Sequence, residues 1–387
     1  MAALPILFLR GRHLPRLLIS INAAWNVVNF RAALVRALVA DGHEVAAAVV
    51  DDGAMPGIAA LGARPIALTM ASRSVSPFRD LALFVRYVRL MRRERPDVYL
   101  GWTIKPNTYG ATAAALCGIP TIANISGLGT AFIRSNWLTW VARRLYPVGL
   151  RRASTVFFQN DDDRALFLAD GLVRADQCAL LPGSGIDPDW FDPRAFAQAA
   201  VDDRDFRFLF VGRLIRDKGV HEYVAAARIV RATHPEARFQ ILGFLDADNR
   251  TAIDRSTLND WVAEGIVEYL GTAADVRPAI AQADCIVLPS YREGLSRVLL
   301  EAAAMATPAI ASDVPGCRDV VVAGVTGLLC RVRDAEDLAA QMTAMLALTP
   351  AARTAMGAAA RADVIARFSE QVVIDRYRIA IARALSR

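Results

Sequence analysis

Two carboxylates, Glu293 and Glu301, flank the predicted start of a helix in the segment PSYREGLSRVLLE. An apolar strand precedes this segment, and Gly294 lets the backbone come close to a ligand. Amides at the start of a helix form an anion site. Eight helical residues separate two side chains by roughly 12 Å and about 80° of rotation. We therefore expect the two carboxylates to hold two ends of one long ligand; the alternative is a pair of solvated helix carboxylates.

Two cations follow another predicted strand in the segment FVGRLIRDKG. The strand ends at Gly212, and Arg213 and Lys218 lie in the loop before the next helix. Fixed cations at the carboxyl end of a strand suit a diphosphate. Only Lys105 and Lys218 among the 45 basic residues are lysines, which indicates that a compact ammonium is needed at these positions. Chance retention and ordinary surface charge are the alternatives.

Apolar strand-like runs alternate with helical patterns along the chain, which predicts a parallel α/β fold. Strands are predicted in the first half at Leu17–Ile21, Glu44–Val50, Val98–Gly101, Thr121–Ile125 and Thr155–Phe158, with helices at Val27–Leu38, Leu81–Arg93, Tyr109–Cys117 and Trp137–Arg152. The pattern restarts after GSGIDPDWFDP, which has the composition of a linker. Strands follow at Phe206–Val211, Arg238–Leu242, Val267–Tyr269, Cys285–Leu288 and Ala309–Ser312, with helices at Gly219–Ala232, Asp254–Glu264, Ala274–Ala283 and Arg297–Met305. Two such units predict a ligand cleft between the carboxyl ends of both sets of strands.

The length of 387 residues suits two domains of roughly 150–200 residues each. We predict an N-terminal domain over residues 1–190, a C-terminal domain over 191–367, and a helix over 368–387 that packs back on the first domain. The five cysteines are scattered without C-x-x-C pairs, which argues against disulfides or zinc and for a reducing compartment.

The charge is unevenly distributed. Residues 1–160 hold 19 Lys and Arg against 7 Asp and Glu, whereas the whole chain carries +6, so the remainder carries −6. The basic half could face an anionic membrane surface, a phosphorylated substrate or nucleic acid, but no nucleic-acid-binding motif is recognisable. The segment WLTWVARRLYPVGLRR combines aromatic and arginine side chains. It fits a membrane-surface helix or an ordinary helix with buried aromatics.

Two further patterns have structural explanations. The uncharged stretch from Pro106 to Ile133 is long enough to cross a bilayer, but its prolines, asparagines and glycines predict a helix, a turn and a strand instead. The acidic run Asp161–Asp163 could suggest a metal site, but it stands directly before a predicted helix, where an Asp caps the first turn. No other cluster offers a set of metal ligands, so we expect no bound metal. The apolar N-terminus is a poor match to a signal peptide.

The second half of the sequence resembles the donor-binding half of family-4 retaining glycosyltransferases, which have the GT-B fold of two facing Rossmann-like domains. The resemblance runs from Phe206 to about Arg331, through FVGRLIRDKG, ILG, YLG, the Glu293-x7-Glu301 signature and GVTGLL. The first half is similar to one branch of that family, through NFRAALVRALVADGHEV, WTIKPNTYG and ISGLGTAF. That branch consists of bacterial transferases that add an N-acetylhexosamine to an undecaprenyl-diphosphate-linked sugar.

The resemblance implies a role for each matching residue. Arg213 and Lys218 would hold the donor diphosphate and stabilise the departing nucleotide in place of a metal, while Glu293 would contact the sugar and Glu301 the ribose. Further donor contacts would come from Gly212, Gly243, Gly271, Gly294, Leu295, Ser296 and Arg297. The leaving phosphate would act as the base in a front-face displacement, so no cofactor beyond the UDP-sugar donor is implied.

The N-terminal half would bind the acceptor through Asn22, Thr103, Lys105, Gly127 and Gly129. The resulting expectation is a retaining transferase that moves a hexose or N-acetylhexosamine from a UDP-sugar to a polyprenyl-diphosphate-linked saccharide. It would act peripherally on the inner face of the cytoplasmic membrane during surface glycan synthesis. The alternatives are a soluble transferase with a small acceptor, a GT-B epimerase of UDP-sugars, and a catalytically silent module that binds nucleotide sugars.

Overall fold

The N-terminal part of the protein is built on one parallel sheet. The computed structural model describes residues 14–70, 76–127, 147–196, 205–245, 249 and 251–386. The strands are β1 (Arg16–Ile21), β2 (Glu44–Val49), β3 (Arg64–Ala67), β4 (Val98–Trp102), β5 (Thr121–Ile125), β6 (Thr155–Phe158) and β7 (Cys178–Leu180). Their order is β3-β2-β1-β4-β5-β6-β7, and every pairing is parallel. Because β1 and β4 are neighbours without being consecutive, the winding reverses there and opens a crevice at their carboxyl ends.

A second parallel sheet forms the C-terminal part. Its strands are β8 (Arg207–Val211), β9 (Arg238–Leu242), β10 (Glu268–Tyr269), β11 (Cys285–Leu288), β12 (Ala309–Ser312) and β13 (Gly327–Cys330). The order β10-β9-β8-β11-β12-β13 places the corresponding reversal between β8 and β11. The predicted α/β class with two Rossmann-like units is confirmed.

Helices cover the sheets. They are α1 (Ala24–Phe30), α2 (Ala32–Ala40), α3 (Met55–Ala60), α4 (Pro77–Glu94), α5 (Ala111–Leu116), α6 (Asp161–Ala169), α7 (Val220–Arg231), α8 (Arg255–Ala263), α9 (Arg277–Gln282), α10 (Arg297–Ala304), α11 (Ala335–Ala347), α12 (Pro350–Phe368) and α13 (Glu370–Leu385). A π-helical turn, Pro106–Gly110, leads into α5, and short 3-10 turns occupy Ala175–Gln177, Pro193–Phe196 and Arg216–Lys218. In the described part of the chain, no helix is both long and apolar enough to cross a membrane.

The central strands are apolar on both faces because helices cover both sides of a parallel sheet. Successive residues of β1 show this alternation. Leu17 and Ile19 belong to one buried cluster, and Leu18 belongs to another on the opposite face. All three side chains are at most 1% exposed.

The last two helices belong to different cores. Helix α12 packs in the C-terminal core through Met356, Val364 and Phe368, whereas α13 packs against the N-terminal sheet through Val373 and Tyr377. The chain therefore crosses between the two parts at its C-terminal end. The boundaries at 190/191 and 367/368 stay predictions.

Several local predictions differ from the structure. The helix predicted over Val27–Leu38 is two helices, because Arg31 leaves the helical conformation with a φ of −133°. The predicted Asp cap of α6 is wrong in its residue, since Asn160 accepts the capping bond and Asp161–Asp163 form the first turn. Strands β3, β7 and β13 were not predicted because each is only three or four residues long. Gly129 and residues 137–146 of the predicted aromatic helix lie outside the described residues.

Candidate active site

A lysine and a glutamate meet where the loops after β8 and β11 come together. The ammonium of Lys218 contacts Oε1 of Glu293, and the hydroxyl of Ser290 donates to the same oxygen at 2.6 Å. The backbone N–H of Tyr291 donates to the carbonyl oxygen of Asp217 at 2.9 Å and ties the two loops together. The side chains of Lys218 and Glu293 are 21% and 13% exposed, so both are partly shielded from water yet reachable from the cleft.

Glycines allow these loops to approach. A Cβ on Gly219, which has a φ of +74°, would lie 2.0 Å from the carbonyl oxygen of Pro289. A Cβ on Gly316, at a φ of +78°, would lie 2.6 Å from the carbonyl oxygen of Glu293. Side chains at either position would push the loop of Glu293 away from its neighbours.

The turn before α10 supplies fewer free amides than predicted. The N–H of Ser296 donates to the carbonyl oxygen of Gly316 at 3.0 Å, while its hydroxyl caps the helix at the N–H of Leu299. Ser296 is therefore a cap whose amide is already used, and its predicted amide contact with a donor is wrong. The amides of Gly294 and Leu295 donate to no acceptor among the described residues, so an anion cradle here consists of two N–H groups.

Glu301 is an ion-paired residue near the start of α10. Arg297 Nε donates to Glu301 Oε1 at 2.8 Å, and Arg297 Nη1 also bonds Ser184 Oγ at 2.9 Å. Burial raises the pKa of the Glu301 carboxyl, and the charge of Arg297 opposes that shift. Glu293 lies four residues before the helix, so the separation of the two carboxylates is set by the loop as well as the helix.

The ends of β8, β9 and β10 are packed backbone to backbone. A Cβ on Gly243 would lie 1.7 Å from the carbonyl oxygen of Gly212, and the N–H of Gly243 donates to Gly271 at 2.8 Å. Gly271 has open space at its Cβ position. Arg213 follows Gly212 with an exposed side chain. The strand ends predicted to border the nucleotide therefore form one continuous, side-chain-poor edge.

The N-terminal domain touches the Glu293 loop directly. A Cβ on Gly294 would lie 2.6 Å from the carbonyl oxygen of Ser126 and 3.0 Å from Cα of Gly127. Asn160 Nδ2 donates to the carbonyl oxygen of Gly294 at 2.7 Å. Gly127, predicted on the acceptor side, thus lies against Gly294, predicted on the donor side.

Two ion pairs reinforce this contact. Asp163, fully buried, contacts the guanidinium of Arg292, the residue next to Glu293. Asp162 pairs with Arg318 at 3.1 Å in an exposed setting. Burial raises the pKa of Asp163, and Arg292 opposes that shift. Sequence reasoning missed both pairs, although the Asp161–Asp163 run marked the acidic partners.

The remaining acceptor-side residues lie near the carboxyl ends of β1 and β4. Asn22 accepts a hydrogen bond of 3.0 Å from Asn26. Thr103 has a φ of +65°, a rare conformation for a β-branched residue. Lys105 pairs with Asp80 of α4 at 2.7 Å, and both side chains are largely buried. The ammonium predicted to bind an acceptor diphosphate is thus bonded to a carboxylate.

Comparison with known proteins gives two family matches. Residues 27–183 match the glycosyl transferase 4-like domain, and residues 205–347 match the domain of glycosyl transferases group 1. The two matches cover the two sheets in turn.

Similar proteins are named as transferases of lipid-linked sugars. One is the N,N'-diacetylbacillosaminyl-diphospho-undecaprenol alpha-1,3-N-acetylgalactosaminyltransferase of Campylobacter jejuni, 26% identical over 92% of this chain and 95% of that protein. Another is the UDP-Gal:alpha-D-GlcNAc-diphosphoundecaprenol alpha-1,3-galactosyltransferase of Escherichia coli, 22% identical over 68% of this chain and 69% of that protein.

Solved structures share the fold. A glycosyltransferase from Rickettsia africae superposes with a TM-score of 0.78 at 16% identity, over 97% of this chain and 99% of that one. Anabaena HepE in complex with UDP superposes with a TM-score of 0.77 at 18% identity, over 95% of this chain and 100% of that one. The predicted GT-B fold is thereby confirmed. The chain belongs to the GT-B glycosyltransferases, with a glycosyl transferase 4-like domain followed by a glycosyl transferases group 1 domain.

Proposed function

We propose that this enzyme transfers a hexose or N-acetylhexosamine from a UDP-sugar to a polyprenyl-diphosphate-linked saccharide, with retention of anomeric configuration. The Campylobacter and Escherichia relatives, named for diphosphoundecaprenol-linked acceptors, support this acceptor class. The name of the Escherichia relative and the UDP complex of HepE support a uridine nucleotide.

The observation that carries the proposal is the bonded pair of Lys218 and Glu293 at the reversal between β8 and β11. Open α/β sheets bind ligands at this place. A cation, a carboxylate, and the free amides of Gly294 and Leu295 suit a ligand that combines a diphosphate with a sugar.

In the proposed reaction, Arg213 and Lys218 neutralise the charge that develops on the departing diphosphate. Glu293 orients the sugar through its hydroxyls. The bond between the anomeric carbon and the phosphate oxygen breaks as the acceptor oxygen attacks from the same face. The acceptor proton passes to a phosphate oxygen, so the residues of the chain hold substrates and charge and form no covalent intermediate.

The membrane-associated location is part of the proposal. The 19 basic residues against 7 acidic residues over positions 1–160 suit the anionic cytoplasmic surface on which a polyprenyl-linked acceptor lies. We expect the enzyme to bind vesicles that contain anionic lipid and to release them as salt rises. Equal binding to neutral vesicles would contradict an electrostatic attachment.

The testing experiment offers the enzyme a panel of UDP-, GDP- and dTDP-sugars with an undecaprenyl-diphosphate-linked N-acetylhexosamine. Mass spectrometry detects the product, and NMR of the new linkage reports its configuration. We expect one UDP-sugar to give an acceptor longer by one sugar with the donor's configuration retained. Transfer to a small acceptor at equal rate, or a changed free sugar without any acceptor, would contradict the proposal.

A further inference from the structure

An arginine buried in the N-terminal domain has no carboxylate to neutralise it. Arg31, between α1 and α2, is 8% exposed. Its Nη1 donates to the carbonyl oxygen of Phe30 at 2.8 Å, and its guanidinium lies 5.6 Å from the centre of the Trp102 ring. Its buried Nε has no hydrogen-bond partner, and no acidic residue in the described ranges pairs with it. A buried charge is costly unless an opposite charge or a ligand compensates it.

The surroundings of Arg31 include a second cation. Arg297 of α10 lies 5.5 Å from the centre of the Phe30 ring, so guanidiniums from the two domains lie on either side of one short segment. Burial lowers the pKa of Arg31, the Tyr377 hydroxyl opposes that shift, and the charge of Arg297 adds to it. Because a guanidinium stays charged in proteins, this arrangement attracts an anion into the space between the domains.

The position of Arg31 is that of a ligand site. Trp102, which lies under its guanidinium, ends β4 beside β1, where the sheet reverses its winding. The next residue, Thr103, has left-handed backbone and a buried hydroxyl without a partner. Strained backbone of this kind concentrates at ligand sites. Lys105, the other cation of this region, is bonded to Asp80.

We propose that Arg31 binds a phosphate group of a substrate from the N-terminal side of the cleft. The inference rests on the proposed function, because both substrates of that reaction carry phosphate: the nucleotide sugar and the prenyl-diphosphate-linked acceptor. The planar fork of a guanidinium matches phosphate oxygens. The bound phosphate would compensate the charge of Arg31 and offset its repulsion from Arg297.

The test measures two ligands on three proteins. Isothermal titration calorimetry gives the affinity of UDP and of farnesyl diphosphate for the wild type, for Arg31→Met and for Arg36→Met. Arg36 is an exposed arginine on α2 and is the matched control. We expect Arg31→Met to weaken farnesyl diphosphate at least about tenfold, with UDP affinity within about twofold, and Arg36→Met to change neither. Weakening of UDP alone would assign the phosphate to the donor.

Two results would overturn the inference. One is unchanged affinity for both ligands in Arg31→Met. The other is a lower Tm of the ligand-free Arg31→Met protein together with unchanged affinity, since that pattern belongs to a structural arginine. We expect an equal or higher Tm, because methionine fills the apolar space without an uncompensated charge. Wild-type protein that binds no UDP would instead contradict the proposed function itself.

Discussion

Replacement of Asp163 by asparagine should slow catalysis even though this residue lies in the acceptor-side domain. Its carboxylate is fully buried and pairs with Arg292, the neighbour of Glu293. Removing one partner of a buried pair costs about 3–5 kcal/mol. Because the Arg292 side chain is 28% exposed and water partly replaces the lost partner, we expect the lower end of that range.

Part of this energy holds the loop of Glu293 against the N-terminal domain. At about 1.4 kcal/mol per factor of ten, loss of half to all of it lowers kcat about 10- to 100-fold in Asp163→Asn. The matched control is Asp162→Asn, whose pair with Arg318 is exposed and is worth about 0–1 kcal/mol. Steady-state kinetics with saturating donor and acceptor measure kcat for both variants.

A double-mutant cycle with Arg292→Gln tests whether the pair itself is responsible. We expect the double variant to be no slower than Asp163→Asn alone, because both single changes break one interaction. Equal kcat for Asp163→Asn and Asp162→Asn would refute the reasoning, as would full additivity in the cycle.

Three further predictions concern the site. Ser290→Ala removes the hydrogen bond to Glu293, and a cost of about 1.5–3 kcal/mol for a bond to a charged group should lower kcat at least tenfold; an unchanged kcat would contradict it. Gly294→Ala places a Cβ 2.6 Å from the carbonyl oxygen of Ser126, so we expect a larger radius of gyration by X-ray scattering and a lower kcat, and wild-type values for both would count against the close approach. Burial raises the pKa of Glu301 above 4.5, so the stability of the wild type relative to Glu301→Gln should be highest below pH 4.5 and fall as pH rises through the folded-state pKa. Thermal unfolding of both proteins across this range measures the difference, and a constant difference would contradict the buried state of the carboxyl.

The central strands were predictable because their signal is local. The runs of β1 and β11 are apolar without interruption, as strands buried on both faces must be. Strand β3 was not predicted because its four residues include Arg64 and Pro65, which do not form an apolar run. It lies at the edge of the sheet, where such residues are tolerated.

The donor-side cluster was predictable in kind. Lys218 and Glu293 are 75 residues apart, but each follows a predicted strand, and the carboxyl ends of neighbouring parallel strands meet at one edge. The contact of Asp163 with Arg292 was not predictable, because it joins two domains across 129 residues and no local pattern specifies how the domains meet. Lys105 illustrates the same limit, since its partner Asp80 lies on a helix 25 residues earlier.

The central claim is that Arg213 and Lys218 carry the negative charge of the departing diphosphate while Glu293 holds the sugar. The most direct measurement is single-turnover transfer by Arg213→Ala/Lys218→Ala at saturating UDP-sugar. Arg216→Ala, an exposed arginine of the same loop, serves as the control. We predict that the double variant loses at least about 100-fold in rate, as removal of a single transition-state donor does elsewhere, while the control keeps the wild-type rate. A double variant that transfers sugar at the wild-type rate would contradict the account.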